Sequence, residues 1–235
     1  MKTNEIHIMH TDYQYPTKEE RRLANLAYPN IEKFGFEDKH EFQLFIEDKK
    51  KITEVKRVVD LYHWDMCLLN KLGMLCDSYI FLFTSYQRGI TNGFKGKGII
   101  NRFFFEYYME IFYYFFFSTR DIITQILNVY CDFKLTESKV SILKISSKIK
   151  NTEFEVIFDK FLIATTDASE FRNNFTHKFP LNHPDYRGTI INDNGMESYG
   201  FGAGGATSYD TYMENINFSN KALAEFVDSL RIKFK

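Results

Sequence analysis

Residues 103–117 read FFFEYYMEIFYYFFF, and Glu106 and Glu110 alone interrupt the apolar run. That much ring surface is not left in water, because large exposed apolar patches mark interfaces. Arg102 and Arg120 bound the run, and it falls short of the roughly 20 apolar residues a bilayer span requires. It therefore predicts a buried helix, with no membrane as partner. A helix that is apolar nearly all round, here over 99–131, sits in the centre of a bundle or at a subunit interface. Composition agrees. Of 235 residues 44% are apolar, with 25 Phe and 15 Tyr but only 4 Pro and 12 Gly. Bulky side chains and few breakers favour long buried elements in a single domain over 1–235.

A second long helix precedes this one. Val55, Val59, Tyr62, Met66, Leu69, Cys76, Ile80 and Phe83 recur in alternating steps of four and three, with Gly73 in the missing place. The spacing predicts an amphipathic helix over 53–86, roughly 50 Å long. Ahead of it, Thr17 and Glu20 form a T-x-x-E capping box after Pro16, opening a helix that runs to Ala27. Residues 38–50 place Phe42, Phe45 and Ile46 on one helical face, so 1–50 reads as an N-terminal helical extension. The segment QRGITNGFKGKG, 87–98, reads as a helix connection. Its GFKGKGII lacks the Ser or Thr of a phosphate-binding loop.

Helices are also expected over 136–150 (Val140, Leu143 and Ile145 inward), 152–178 (Phe154, Ile157, Phe158, Phe161, Leu162, Ala168 and Phe171 inward) and 219–233 (Leu223, Phe226, Val227 and Leu230 inward). Residues 180–217 differ. Asn194-Gly195 between RGTIIND and MESYGFG is a hairpin signal. GFGAGGATS lacks the strand–helix setting of a dinucleotide site and reads as a mobile loop. The fold class is all-α: an elongated helical bundle carrying a small β-hairpin and Gly-rich loop insertion at 180–217.

A net charge of -1, from 30 basic and 31 acidic residues, excludes a globally basic nucleic-acid binder. Nucleic acid must be met by a local patch. Cys67, Cys76 and Cys131 show no CxxC spacing, which fits free thiols in a reducing compartment. The N-terminus has no apolar signal core. A cytoplasmic location is expected.

The helix over 152–178 ends FRNNFTHKF. At about 100° per residue, Asn173 and His177 stack on one face. Arg172 stands about 140° from His177, with a side chain long enough to reach the same cleft. Phe171 and Phe175 form the stripe that docks the helix. A guanidinium, an amide and an imidazole together suit phosphodiester chemistry. Imidazole moves protons near neutral pH, guanidinium grips phosphate and the charge that develops on it, and the amide orients either. The same residues also fit a plain surface, with Arg172 near Asp167 or Glu170 and His177 favoured at a helix C-terminus.

FRNNFTHK resembles the R-x(4–6)-H motif of the HEPN (higher eukaryotes and prokaryotes nucleotide-binding) superfamily, whose usual form has a polar residue after the Arg. The order of elements, two long helices, a connecting region, the motif helix and a terminal helix, is similar over about 50–235. The resemblance implies an all-helical HEPN bundle like that of the free-standing bacterial members, and two protomers placing their motifs face to face. It implies a metal-independent endoribonuclease of a defence or toxin–antitoxin setting, with RNA as substrate and an antitoxin protein as possible partner. Arg172, Asn173 and His177 become the catalytic residues, with no cofactor and no metal. The alternative is a non-catalytic HEPN-type dimer that binds RNA, nucleotide or a protein. The 180–217 insertion departs from the family pattern.

Other groups carry weaker signals. His177, His183 and Asp185 make an H-x5-H-x-D spacing, but Pro180 and Pro184 constrain its path. His7 and His10 lie in the N-terminal arm, and His63 follows Tyr62 in a long helix. Glu106 and Glu110, four apart, lack the companion ExxH of a di-metal bundle.

Overall fold

Two antiparallel helices carry the architecture. The structure is a computed structural model that describes residues 13–46, 48, 51–91, 97–177, 187–193, 196–200 and 206–234. Helices α1 (Lys18–Ala27) and α2 (Glu41–Ile46) precede the long pair α3 (Ile52–Gln87) and α4 (Lys97–Tyr130). A 3-10 turn (Glu137–Lys139) leads to α5 (Ile142–Lys148), α6 (Glu155–Ala164) and α7 (Thr166–His177). A hairpin of β1 (Thr189–Asp193) and β2 (Met196–Gly200) follows, then α8 (Tyr209–Lys233). The strands are antiparallel, with Thr189 opposite Gly200 and Asp193 opposite Met196. Among the described residues the fold is an all-α bundle with one small hairpin.

The antiparallel sense of α3 and α4 is visible in their ring contacts. Arg57 lies over Tyr130 at one end, Lys71 over Phe115 in the middle, and Phe81 stacks on Tyr108 at 4.6 Å. Helix α4 buries Phe105, Met109, Phe112, Tyr113, Phe116 and Phe117. Most of the aromatic run is thus consumed inside one chain, by α3 on one side and by α7 and α8 on the other. Phe103, Tyr107 and Tyr114 remain outward as an exposed stripe.

The long helices match their expected bounds, but α3 is rotated by one residue. Its buried seam is Leu61, Asp65, Leu68, Leu72, Leu75, Tyr79 and Leu82, again in steps of four and three. The expected stripe lies beside it: Val55 and Ile80 are buried as expected, but Leu69 and Gly73 are exposed and Val59, Tyr62, Met66, Cys76 and Phe83 half-buried. Smaller shifts follow the same logic. In α2 the buried residue is Leu44, while Phe45 and Ile46 are exposed and the Phe42 side chain lies outside the described residues. In α5 Ile145 is buried as expected, Leu143 faces solvent, and Ile149 just past the helix is buried.

The helix expected over 152–178 is two helices. Thr165, at φ −107° and ψ 16°, separates α6 from α7. The Thr165 hydroxyl donates to the Phe161 carbonyl at 2.9 Å, and that of Thr166 to the Ile163 carbonyl at 3.0 Å. Such back-bonding competes with the helical ladder and bends it. Helix α8 begins ten residues before the expected 219, capped by Ser208, whose side chain accepts from the Thr211 N–H. The insertion is therefore shorter than 180–217, because 209–217 is helical. Residues 178–186, Asn194-Gly195 and 201–205, which hold the expected turn and most of the Gly-rich loop, lie outside the described residues.

Asp65 explains the displaced seam. Its carboxylate is fully buried and accepts the N–H of Phe34 at 2.7 Å, of Gly35 at 2.7 Å and of Phe36 at 3.0 Å. Gly35 has φ +84°, which turns successive N–H groups toward one point. Lys33 adds its ammonium at 3.6 Å. The segment is clamped from the other side by Arg231, which donates to the carbonyls of Glu32 and Lys33. Phe34 meets Phe234 edge-on at 4.7 Å. Further along, Arg88 at the end of α3 pairs with both oxygens of Glu20 at 2.8 Å and donates to the Gln14 and Tyr15 carbonyls. The capping box of Thr17 and Glu20 forms as expected.

Asp65→Ala should cost about 3 kcal/mol or more, because three oriented N–H groups lose their acceptor in a dry site. Urea unfolding of the variant and the parent measures it, and a loss under about 1 kcal/mol would contradict the assigned role. The Arg88 guanidinium holds the Glu20 carboxyl at about 2, down from 4.5. A depressed carboxylate stabilises above its unfolded pKa and loses that contribution as pH falls toward its folded one. The stability gap between the parent and Glu20→Gln should thus be full at neutral pH and close between about pH 5 and pH 2.

Candidate functional site

The residues that dock α7 also decide what α7 presents. Phe171 lies 4.8 Å from Tyr212 and 6.1 Å from Tyr113, ring to ring, and Phe175 lies 5.7 Å and 6.0 Å from the same two rings. Tyr113 is fixed in turn by its hydroxyl, which donates to Asn215 Oδ1 of α8 at 2.8 Å. Burial pushes the Tyr212 hydroxyl up to about 12 and that of Tyr113 well above its ordinary value. Both phenols are neutral packing surfaces. Ala168 completes the inward face of α7.

Asn174 joins that inward face. It is buried and donates from Nδ2 to the Glu170 carbonyl at 2.8 Å. With Ala168, Phe171, Asn174 and Phe175 turned inward, helical rotation carries positions 173 and 177 to the opposite side. Asn173 is exposed there. Arg172 is half-buried on the flank, and its Nη1 donates to Asn173 Oδ1 at 3.3 Å. Position 177 is the last helical residue, and the His177 side chain lies outside the described residues. The Arg172–Asn173 pair is therefore brought together by direct contact, and residue 177 follows one turn later on the same outward side. Thr176, between them, donates its hydroxyl to the Arg172 carbonyl at 2.9 Å. The residue that sequence reasoning missed is Asn174. In an N-N pair either amide can belong to the motif, and only the phase set by Phe171 and Phe175 separates them.

A cleft of about 620 Å³ opens where α3 ends and α8 begins, lined by Tyr86, Gln87, Thr207 and Asp210 among others. It lies one helical turn from Tyr212, on which the motif helix rests. Its carboxylate, Asp210, accepts the Tyr86 hydroxyl. Glu106 accepts the Tyr209 hydroxyl at 2.7 Å, so this carboxylate ties α4 to the start of α8. His63 is exposed on α3. His7, His10, His183 and Asp185 lie outside the described residues.

A family model described as Cthe2314-like HEPN matches residues 64–235. The chain belongs to the HEPN superfamily. Among curated proteins and among solved structures, none matches it. HEPN membership gives the coarse function, nucleotide binding or RNase-like activity. Residues 172–177 lie inside the matched region. The HEPN match begins within α3, one residue before Asp65, so α1, α2 and the loop that Asp65 holds precede it.

Because Phe171 is the main ring between α7 and Tyr212, Phe171→Ala should lower stability by about 2–4 kcal/mol. It should also loosen α7 ahead of the α3–α4 pair. Hydrogen exchange resolved by segment checks this, and equal acceleration in both regions would contradict a separately docked motif helix.

Proposed function

We propose that this HEPN protein is a metal-independent endoribonuclease, working as a homodimer in which two copies of Arg172, Asn173 and His177 face one RNA-binding cleft. The reading rests above all on the outward presentation of Asn173 beside Arg172. Phe171, Asn174 and Phe175 fill the core side of α7, leaving the Arg172–Asn173 pair in contact at its solvent side. Bracing by rings against two other helices supports a fixed placement of the Arg172–Asn173 pair, as a catalytic site requires.

The mechanism needs one proton-transfer group and one cation. A ribose 2′-OH attacks the adjacent phosphorus, and His177 takes its proton or returns one to the departing 5′ oxygen. Arg172 donates to the equatorial oxygens, where negative charge grows. Asn173, in contact with Arg172, fixes the direction of the guanidinium. The products are a 2′,3′-cyclic phosphate and a 5′-OH. The nucleophile belongs to the substrate, so no metal is required to generate it. Self-association is supported by the exposed stripe of Phe103, Tyr107 and Tyr114 on α4, the part of the aromatic run that the described residues leave uncovered. A cytoplasmic setting, a role in defence and a cognate antitoxin fit a nuclease that must be restrained in its own cell.

His177→Ala and Arg172→Ala should each lower cleavage of a mixed-sequence RNA by about 10²-fold or more, with the helical circular dichroism unchanged. EDTA should not inhibit, and a 2′-deoxy substrate should resist. Light scattering should give the mass of two chains. Cleavage that survives in His177→Ala, or stops with EDTA, would remove this mechanism.

A further inference from the structure

Helix α3 spends its buried seam on α4 and leaves a long face open. His63, Cys67, Leu69, Asn70, Gly73 and Met74 are exposed there. Over these turns the exposed side chains include no carboxylate, ammonium or guanidinium, and depletion of charge is the mark of an interface centre. A Cβ added at Gly73 would meet nothing within 4 Å. Packing among the described residues therefore does not call for glycine at that point of a helix, where Ala is favoured, whereas close approach of another backbone would. The motif helix packs on α4 and α8 instead, through Tyr113 and Tyr212. The open face of α3 is thus independent of the motif reading.

Two metal-ligating side chains stand on that face. His63 and Cys67 are four residues apart on a helix unbroken from Ile52 to Gln87, and both are exposed. Side chains at this spacing are neighbours, with Cβ atoms about 5–6 Å apart, and it is the spacing by which one helix face supplies two zinc ligands in H-E-x-x-H metalloproteases. Imidazole nitrogen and thiolate sulfur are both ordinary zinc ligands, at about 2.0–2.1 Å and 2.3 Å. The His63 ring rests 5.5 Å from that of Tyr62, at the edge of a shallow cleft of about 210 Å³ that it shares with Asp38, His40 and Glu41. An exposed ring changes rotamer within nanoseconds, so this resting place does not fix it. The other two thiols do not compete. Both are half-buried, and burial pushes Cys76 up and Cys131 to about 11.

One chain does not complete the site. Among the described residues no group of three His, Cys, Asp or Glu side chains is placed to hold a metal ion. A closed tetrahedral zinc takes four ligands, and this face supplies half of them. A two-fold axis across the face of α3 supplies the same pair again from a second copy, because an isologous contact presents each surface to itself. The uncharged neighbours at Leu69, Gly73 and Met74 then meet their counterparts without opposing like charges.

We propose that His63 and Cys67 from two copies of this chain share one zinc ion, a structural Cys2His2 site that joins two α3 helices by their open faces. Each thiol gives its proton to solvent as its sulfur binds, so two protons leave per zinc, and the two thiolates cancel the charge of the ion. All four positions are filled by protein, so this zinc has no place for substrate or catalytic water. The full chain is stripped of metal with EDTA and exchanged into reducing buffer without chelator. Zinc chloride is then titrated in while light scattering follows the mass, and cobalt(II) chloride while absorption is followed. The mass should at least double, saturating at one zinc per two chains, and EDTA should reverse it. Cobalt should give a thiolate charge-transfer band together with the visible bands of a tetrahedral site. Cys67→Ser and His63→Ala, both at exposed positions and with unchanged circular dichroism, should each weaken the zinc response about tenfold or more, the scale of losing even an outer-shell partner. No change of mass overturns the proposal, as does saturation at one zinc per chain without association. A charge-transfer band that persists in Cys67→Ser, or a zinc response unaltered in His63→Ala, assigns the metal to other groups and overturns it too. None of these readouts uses RNA cleavage, so failure of the nuclease reading leaves the zinc site standing, and the reverse.

Discussion

A helix with rings on three sides must be given neighbours on three sides, and α4 imposes that demand on the whole bundle. Its inner rings meet α3, its flank meets α8 through Tyr113 and Asn215, and the same Tyr113 receives Phe171 and Phe175 of α7. The motif is therefore positioned by the feature that dominates the sequence. Burying a Phe or Tyr removes some of the largest apolar areas available to a chain, so α7 is secured by packing on its inner side and its outer side is left free for polar residues. What the bundle needs for stability and what the motif needs for presentation are met by opposite faces of one short helix.

Much of this was legible from residue spacing. The two long helices, the capping box at Thr17 and the docking role of Phe171 and Phe175 all follow from local rules. The phase of α3 did not. Two adjacent stripes on that helix have the same four–three rhythm, and the one that is buried contains Asp65. A carboxylate counts against burial in any reading of pattern, because the compensation comes from backbone N–H groups at 34–36, some thirty residues away. Nothing in the spacing of 53–86 announces them. Gly35 was the available signal, a residue able to take the positive φ that aims three N–H groups at one anion.

The break at Thr165 and the inward turn of Asn174 illustrate a second limit. Apolar spacing over 152–178 is continuous enough to read as one helix, and the back-bonding of Thr165 and Thr166 acts through hydroxyls rather than through hydrophobic phase. Likewise Asn173 and Asn174 are chemically identical. One sits beside Arg172 in solvent and the other bonds a carbonyl inside the bundle. The motif as a string of letters leaves the choice open, and the rings on either side of it decide.

The family boundary and the structural boundary do not coincide. The HEPN match opens at residue 64, in the middle of a continuous helix. Cut there, the matched part would begin with a buried seam carrying Asp65 and no acceptor role for it to fill. It would also leave Arg88 without Glu20 and Arg231 without the carbonyls of 32 and 33. Each of these three anchors lies within the matched region and reaches back to residues before it. A charge buried without its partners costs far more than an exposed one, so the residues that these anchors reach take part in the packing of the HEPN-matched bundle. The extension is thus better understood as the missing side of the core than as an appendage: its 34–36 segment, held by Asp65, reaches the last residue of α4 through the contact of Phe36 with Tyr130.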